Sequence, residues 1–305
     1  YGMLSDEKFR EAGKKFTLLK DTEGKYFTLD EYKQLIESTQ TDKDGNLIHL
    51  YTNNPIAQYT YINSATEKGY SVLLMDGQLD NHFIGLLEQQ IEKSQFVRVD
   101  SDVIDNLIRK ENKKEVLLTT TQRNIMTGAF NSQIPPIEKA QFIVTFEAMS
   151  ATDSPIIITQ NEYMRRMKEM AAFQPGMDFY GDMPNSYNLI INTEHPLISK
   201  IRDDAEVKVG NKLTPITKVI DDNNSKIAQI REANKNKALN DEDNKTISSL
   251  EEATKALRDD ETRILSEYAS KQPLIKQLID LALLGNGLLS GEELNSFIRR
   301  SISLL

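Results

Sequence analysis

The sequence contains no cysteine and no tryptophan, and only three of its 305 residues are histidine. The absence of cysteine excludes a disulfide framework, a thiolate nucleophile and a cysteine-based zinc site. His49, His82 and His195 lie far apart and fit no zinc-binding spacing such as HExxH, so we expect no metal site. No apolar stretch approaches the roughly 18 residues that a membrane-spanning helix needs, so we expect no membrane partner.

Positive charge is also in short supply. Lys and Arg number 37 against 46 Asp and Glu, which gives a net charge of −9. Nucleic acids and anionic lipids are bound largely by basic residues, so we expect neither as a partner. Phosphate-binding loops of the GxGxxG or GxxxxGK[ST] type are absent, and so is the GxSxG elbow of serine hydrolases. Asp76 follows a predicted strand and is a possible catalytic carboxylate, although an Asp-Gly pair more often forms a turn.

Periodicity in the first hundred residues predicts a small α/β unit. Residues 1–40 have a helical pattern, with a capping box at Thr28 and Glu31. Between residues 47 and 99, three short apolar stretches alternate with two helical patterns, which implies parallel strands joined by right-handed crossovers. We therefore expect a small three-layer α/β subdomain within residues 1–108. The polar run RKENKKE at 109–115 is a predicted linker.

Residues 116–305 differ in pattern and predict a mixed α+β domain. Strand-like stretches at 141–147, 155–158 and 187–192 predict a three-stranded sheet. The segment from Thr159 to Glu162 has the spacing of a second capping box, opening a helix that reaches about Phe173. Isoleucines and leucines spaced by four and three residues within 216–268 predict an antiparallel helical hairpin. A single compact body of this mass would expose ~13,000 Å², so a larger area would indicate an elongated molecule.

The capped helix is rich in methionine on one side. Its apolar residues are Met164, Met167, Met170, Ala171 and Phe173, and Arg165, Arg166, Lys168 and Glu169 lie on the other side. Spacing alone favours ordinary core packing. Thioether side chains also adapt to irregular apolar partners, so an exposed binding face is the alternative.

Residues 273–305 predict two helices. The first begins near Pro273 and is apolar around most of its circumference, and the second is amphipathic. A helix that is apolar all round must be buried. Packing within one chain and packing against a second copy in a four-helix bundle are equally compatible with the pattern.

Four stretches together resemble the heat-shock-protein-90 (Hsp90) chaperone family, in its bacterial form. They are Ser154-Pro155 followed by ITQNEYMRRMKEMAA, YNLIINTEHPL at 187–197, LALLGNGLL through LNSFIRR at 281–300, and YSVLLMDGQLDNHFIGLLEQ at 70–89. The resemblance implies that residues 1–108 are the end of a middle domain and that 116–305 are a dimerisation domain. A helical-hairpin insertion at about 206–258 and a C-terminal two-helix dimer bundle are expected within the second unit.

The resemblance also implies a function and its residues. The chain is expected to be a client-binding, homodimerising and cytoplasmic part of an ATP-dependent chaperone, with no catalytic site or cofactor of its own. ATP and Mg²⁺ are expected in an N-terminal domain of a longer parent, which the opening at Tyr1 also suggests. The matching stretches assign client contact to Met164, Met167, Met170, Phe173 and Phe83. They assign the dimer interface to Leu278, Ile279, Ala282, Leu283, Phe297, Ile298 and Ile302.

Two other functions stay open at this point. One is a dimerising scaffold whose coiled arm binds one defined partner, which a methionine face shielded within the monomer would favour. The other is an enzyme that uses the strand edge near Asp76, which a cleft with several convergent polar groups would favour.

Overall fold

The computed structural model describes residues 2–111, 114–171, 183–235 and 239–303, and for Met170 the backbone alone. The N-terminal part, residues 2–108, contains helices and strands in mixed order. These are α1 (Gly2–Ser5), α2 (Glu7–Gly13), a 3₁₀ turn (Lys14–Phe16), β1 (Leu18–Lys20), β2 (Tyr26–Thr28), α3 (Leu29–Gln40), β3 (Leu47–Thr52), α4 (Tyr59–Glu67), β4 (Val72–Leu74), α5 (Asp80–Gln90), β5 (Ser94–Arg98) and α6 (Ile104–Leu107).

The C-terminal part, residues 116–303, contains a second sheet and longer helices. Its elements are α7 (Thr120–Asn131), β6 (Ala140–Glu147), β7 (Ile156–Gln160), α8 (Glu162–Ala171), β8 (Asn185–Asn192), α9 (Pro196–Ala205), a π-helical turn (Glu206–Gly210), α10 (Asn211–Ala233), α11 (Asp241–Ser270), α12 (Pro273–Gly285) and α13 (Gly291–Ser303). None of these described helices is both long and apolar enough to cross a lipid bilayer.

The first sheet has the parallel pairing that the sequence predicts. Its strand order is β4-β3-β5, with β3 parallel to both neighbours. Every residue of β3 is buried, because Leu47 and Tyr51 face one apolar cluster while Ile48 and Leu50 face another. Helices α3 and α5 contribute to the first cluster, and α4 contributes to the second.

The helical prediction for residues 1–40 is wrong in its middle. Strands β1 and β2 form an antiparallel hairpin there, with Leu19 opposite Phe27. Gly24 lies in the turn with a φ of 86°, a conformation that glycine adopts without strain. The capping box that follows is confirmed, since Thr28 Oγ1 accepts from the Glu31 amide at 3.3 Å and Glu31 Oε2 accepts from the Thr28 amide at 2.7 Å.

The second sheet is three-stranded and has the order β6-β8-β7, with β8 parallel to β6 and antiparallel to β7. Its inner residues join α7, α9, α11 and α12 in one large apolar core. Helix α7 approaches α11 closely at Gly128, where a Cβ atom would lie 2.3 Å from Leu265 Cδ1. The mixed α+β class is therefore confirmed, whereas the domain boundaries and the linker at 109–115 stay predictions.

Helices α10 and α11 pack against each other as the predicted hairpin. Helix α10 continues α9 through the π-helical turn, and Pro215 lies one turn further on. A π turn and a proline inside a helix are both places at which helices bend. Whether residues 206–258 are an insertion stays a prediction.

Candidate functional site

Helix α8 begins differently from the prediction. Strand β7 extends through Gln160, and the cap is Asn161, whose Oδ1 accepts from the Met164 amide at 3.1 Å. The capping box predicted from Thr159 to Glu162 is wrong, because Thr159 is a buried strand residue. The predicted helix itself is present and carries its methionines at the expected positions.

The methionine side of α8 is partly exposed. Met164 and Met167 are both partly accessible, and neither belongs to an apolar core cluster formed by the described residues. Tyr163, which sequence reasoning missed, is 65% exposed beside them. The Met170 side chain and the whole of Phe173 lie outside the described residues.

The opposite, charged side of α8 is the side that packs against the N-terminal part. Arg165 is only 3% exposed, and it donates to Tyr51 Oη of β3 at 2.6 Å. It also donates to Glu162 at 2.7 Å and to Glu169 at 2.5 Å on its own helix. The usual burial pattern of an amphipathic helix is therefore reversed here, since the paired Arg165 is more buried than Met164 and Met167.

Glu169 connects α8 to two further elements. Its Oε2 accepts from Asn81 Nδ2 of α5 at 2.7 Å, and its Oε1 lies 3.6 Å from Arg98 Nη1 of β5. Arg98 is itself buried and makes a two-point ion pair with Asp100. The i and i+4 spacing of Glu and Arg within α8 could have indicated the pairs inside the helix. Nothing in the sequence indicated the partners on α5 and β5.

Arg166 makes a separate link to α5. Its Nη1 donates to Glu88 Oε2 at 2.9 Å and its Nε to Glu162 Oε1 at 2.6 Å, and it also donates to the Phe96 carbonyl. Glu88 Oε1 accepts from the Phe96 amide at 2.8 Å, so the pair is anchored to β5.

These contacts keep Arg165 charged although it is buried. Burial alone would lower the pKa of Arg165, but Glu162, Tyr51 and Glu169 outweigh it and raise that pKa above its usual value. Burial, assisted by Glu162, raises the pKa of Tyr51 to about 12, so its hydroxyl stays protonated. We refer to Glu88, Arg98, Glu162, Arg165, Arg166 and Glu169 as the α8 ion-pair cluster.

Phe83 is placed on α5, between the residues that contact α8. It is half-buried and packs against the apolar cluster beneath α3 and α5. The structure thus brings α5, which carries Phe83, next to α8, which carries Met164 and Met167.

The last two helices are packed mostly within one chain. Leu278, Ile279, Leu283 and Phe297 are buried in the large core, and Ile279 and Leu283 are fully so. These four residues therefore contribute to the fold of the single chain, in which α12 packs on β7, α7, α11 and α13. Their assignment to a dimer interface stays a prediction. Among the other predicted interface residues, Ala282 is half-buried while Ile298 and Ile302 are exposed.

A buried carboxylate joins α12 to α13. Asp280 is 0% exposed, its Oδ1 accepts from Lys276 Nζ at 2.8 Å, and its Oδ2 accepts from Arg300 Nη2. Lys276 Nζ also reaches Glu293 of α13 at 3.1 Å. The relative placement of α12 and α13 is thus set by ion pairs as well as apolar contacts. Four large apolar residues stay exposed on these helices: Leu281, Leu284, Ile298 and Ile302.

Asp76, the possible catalytic carboxylate at the edge of the first sheet, does not line either of the two cavities described next. Asp76 is exposed and lines neither the cavity of about 410 Å³ beside α4 and α12 nor that of about 490 Å³ beside α5. The neighbouring Gly77 amide donates to Asp80 Oδ2 at 2.9 Å, which is a turn at the start of α5. Among the described residues, no three acidic or histidine side chains converge in a way that suits a metal ion.

The amino-acid sequence is similar to those of known proteins over its whole length. Over 312 aligned residues the chain is 46% identical to the chaperone protein htpG of Bacteroides fragilis, strain YCH46. It is 47% identical over 316 residues to the chaperone protein HtpG of Porphyromonas gingivalis, strain W83. Both alignments cover 100% of this chain and 45% of the relative, so the chain spans about half the length of these curated relatives. Residues 1–225 match the Hsp90 protein family, and the chain therefore belongs to that family.

Proposed function

We propose that this chain is the part of an ATP-dependent chaperone that holds partly folded client proteins and pairs with a second copy of itself. Its relatives carry the name of chaperone over the same residues. ATP and Mg²⁺ are assigned to the part of a longer parent that precedes this chain. The cytoplasmic location remains a prediction.

The observation that supports client binding is the orientation of α8. Its charged side packs against the N-terminal part through the α8 ion-pair cluster, which leaves Met164, Met167 and Tyr163 partly open to solvent. Flexible thioether side chains refit to apolar partners of different shape, so such a face suits weak binding of many unfolded segments. A methionine face shielded by a core would have favoured the scaffold function instead.

The mechanism needs no covalent step. Apolar segments of a client would bury area against the methionine face, and pairing of two chains would place two such faces on one cleft. ATP bound to the rest of the longer chaperone would then shift the two paired chains between open and closed arrangements. This shift would change how much of each methionine face a client contacts.

The proposal is tested by changing Met164 and Met167 together to serine. We expect the doubly substituted chain to lose most of its ability to suppress aggregation of a heat-unfolded protein, measured by light scattering over time. Because both side chains are partly exposed and neither belongs to an apolar core cluster of the described residues, the thermal unfolding temperature should change by no more than a few degrees.

The matched control changes Ile143 and Val207, two exposed apolar residues on β6 and at the π-helical turn, to serine in the same chain. This control should suppress aggregation as well as the wild-type chain does. Equal suppression by all three proteins would contradict the proposed role of the methionine face.

A further inference from the structure

We propose that Glu88 and Arg166 are positioning residues that set the affinity of the methionine face for unfolded chains, by holding α8 in one orientation against α5. This inference rests on the proposed function of that face. Neither residue belongs to the face itself. Arg166 lies on the opposite side of α8 from Met164 and Met167, and Glu88 lies on the neighbouring helix.

Two contacts between α5 and α8 support this role. Arg166 Nη1 donates to Glu88 Oε2 at 2.9 Å, and Asn81 Nδ2 donates to Glu169 Oε2 at 2.7 Å. Asn81 and Glu88 are seven residues apart, or roughly two turns along α5. A single contact would let α8 pivot, whereas two contacts separated by two turns define its direction.

The contacts also reach the sheet. Glu88 Oε1 accepts from the Phe96 amide at 2.8 Å, and Arg166 donates to the Phe96 carbonyl. The pair therefore closes a ring of hydrogen bonds around one residue of β5. A two-point guanidinium contact of this kind has a narrow geometric tolerance, which lysine would not reproduce.

Helix α8 is held mainly by polar contacts. None of its described side chains belongs to the apolar core clusters, although Ala171 is buried. Loss of the Glu88–Arg166 contact should therefore loosen the helix rather than open a core. Because a binding face is effective only in the fraction of molecules that present it, a loosened α8 raises the apparent dissociation constant.

The experiment measures binding of a fluorescein-labelled, reduced and carboxymethylated lysozyme, which cannot refold, to the full 305-residue chain by fluorescence anisotropy. We expect Glu88→Gln and Arg166→Gln each to raise the Kd about fivefold. The double variant should raise it no further than the weaker-binding single variant does, because both changes remove the same contact. Arg166→Lys should lie between wild type and Arg166→Gln.

The matched control is Arg231→Gln, which removes an ion pair of similar length, 2.8 Å to Glu251 against 2.9 Å for Arg166 to Glu88, between α10 and α11. It should leave the Kd unchanged. Hydrogen exchange gives a readout that a general loss of stability would not: amides of α8 should exchange faster in Glu88→Gln, while those of β3 and β5 keep their protection.

The outcomes separate the two proposals. If Met164→Ser/Met167→Ser weakens binding but the Glu88 and Arg166 variants bind like wild type, positioning is overturned and the proposed function stands. If the methionine variant also binds like wild type, the proposed function fails. Additive effects of Glu88→Gln and Arg166→Gln would likewise overturn positioning through their shared contact.

Discussion

Arg165 illustrates at the scale of one residue how charge can be buried in this protein. Its guanidinium is nearly inaccessible, yet it has Tyr51, Glu162 and Glu169 as partners. Removing one partner from such a group costs about 3–5 kcal/mol, because the remaining charge is left without compensation. A buried arginine is therefore tolerated on α8, where Tyr51 of β3 and two glutamates of α8 itself supply oxygen atoms to it.

His49 is a buried residue with the opposite arrangement. It lies on β3, its ring stacks on Phe96 at 4.4 Å between centroids and on Tyr32 at 5.8 Å, and neither ring nitrogen has a hydrogen-bond partner in the described part of the chain. Burial lowers the pKa of His49 from its usual 6.5 to about 4. The folded chain thus holds this imidazole neutral.

A pH dependence of stability follows from His49. Above pH 6.5 His49 is neutral in both the folded and the unfolded chain, so its burial does not make the free energy of unfolding depend on pH. As the pH falls from 6.5 towards 4, His49 binds a proton in the unfolded chain but stays neutral in the folded chain. The free energy of unfolding therefore falls by up to ~1.4 kcal/mol per pH unit. Urea unfolding of wild type and His49→Phe between pH 7.5 and 5 measures this. The variant should lose less stability over that range, and parallel curves would contradict the assignment.

At the scale of elements, α8 and the α10–α11 pair depart from simple amphipathic packing in different ways. Helix α8 turns charge inward and methionine outward. The α10–α11 pair has an apolar seam that includes Ile220, Ile227 and Ile247, interrupted by one polar contact. In that contact Asn223 Nδ2 donates to Thr254 Oγ1 at 3.2 Å, and both side chains are buried. A single polar layer of this kind favours one register of the two helices.

The polar layer predicts a non-additive mutation cycle. Thr254→Val leaves the Asn223 amide buried without its hydroxyl partner and should destabilise the chain by about 1–3 kcal/mol. Asn223→Leu combined with Thr254→Val should recover most of that loss, since both polar groups are then gone. Urea unfolding followed by circular dichroism gives the three free energies. Thr254→Ser, which keeps the hydroxyl, is the control. If the effects of Asn223→Leu and Thr254→Val on the free energy of unfolding simply add in the double variant, the two residues are not energetically coupled.

At the scale of the whole molecule, the chain is elongated. Its accessible surface is 18,076 Å², well above the ~13,000 Å² of a compact body of this mass. Separate apolar clusters serve the N-terminal part and the large C-terminal core. The α8 ion-pair cluster lies between the two parts, together with Tyr61 of α4, which donates to Asn286 at the end of α12 at 2.8 Å.

The proposed dimer can be tested on the exposed part of the tail. We expect a solution mass of about 69 kDa, twice that of one chain, by light scattering after size exclusion. Ile302→Asp places a charge where Ile302 is 65% exposed in one chain, so it should shift the mass towards 34.7 kDa without unfolding. Ile279→Asp is not a suitable test, because that residue is part of the core and the chain would unfold.

Val219→Asp is the matched control for the dimer. Like Ile302, Val219 is an exposed apolar residue, 46% exposed against 65% for Ile302, but it lies on α10 and is remote from the tail in sequence. This variant should keep the mass of the wild-type chain. A monomeric wild type at high concentration would contradict the proposed dimer, and a dimeric Ile302→Asp would place the interface elsewhere.

Local patterns in the sequence were enough for most elements of the fold. The strands of both sheets, the parallel pairing of the first sheet, the Thr28 capping box and the long helical pair all follow from spacing and capping within a few residues of each position. The β1–β2 hairpin was not predicted, because each strand has only three residues and is too short for a periodicity to appear. The family could also be inferred, since its motifs are continuous stretches of chain.

Which side of a helix faces inward was decided by contacts between distant residues. Spacing placed Met164 and Arg165 on opposite sides of α8, but a buried charge is stable only where Tyr51, Glu169 and their neighbours converge on it, and that convergence requires the folded chain. The same holds for the tail, where an apolar helix must be buried but its sequence does not say against what. Packing within the chain covers Ile279 and Leu283 of α12, because β7, α7 and α11 pack against that helix, and it leaves Ile298 and Ile302 of α13 open to solvent.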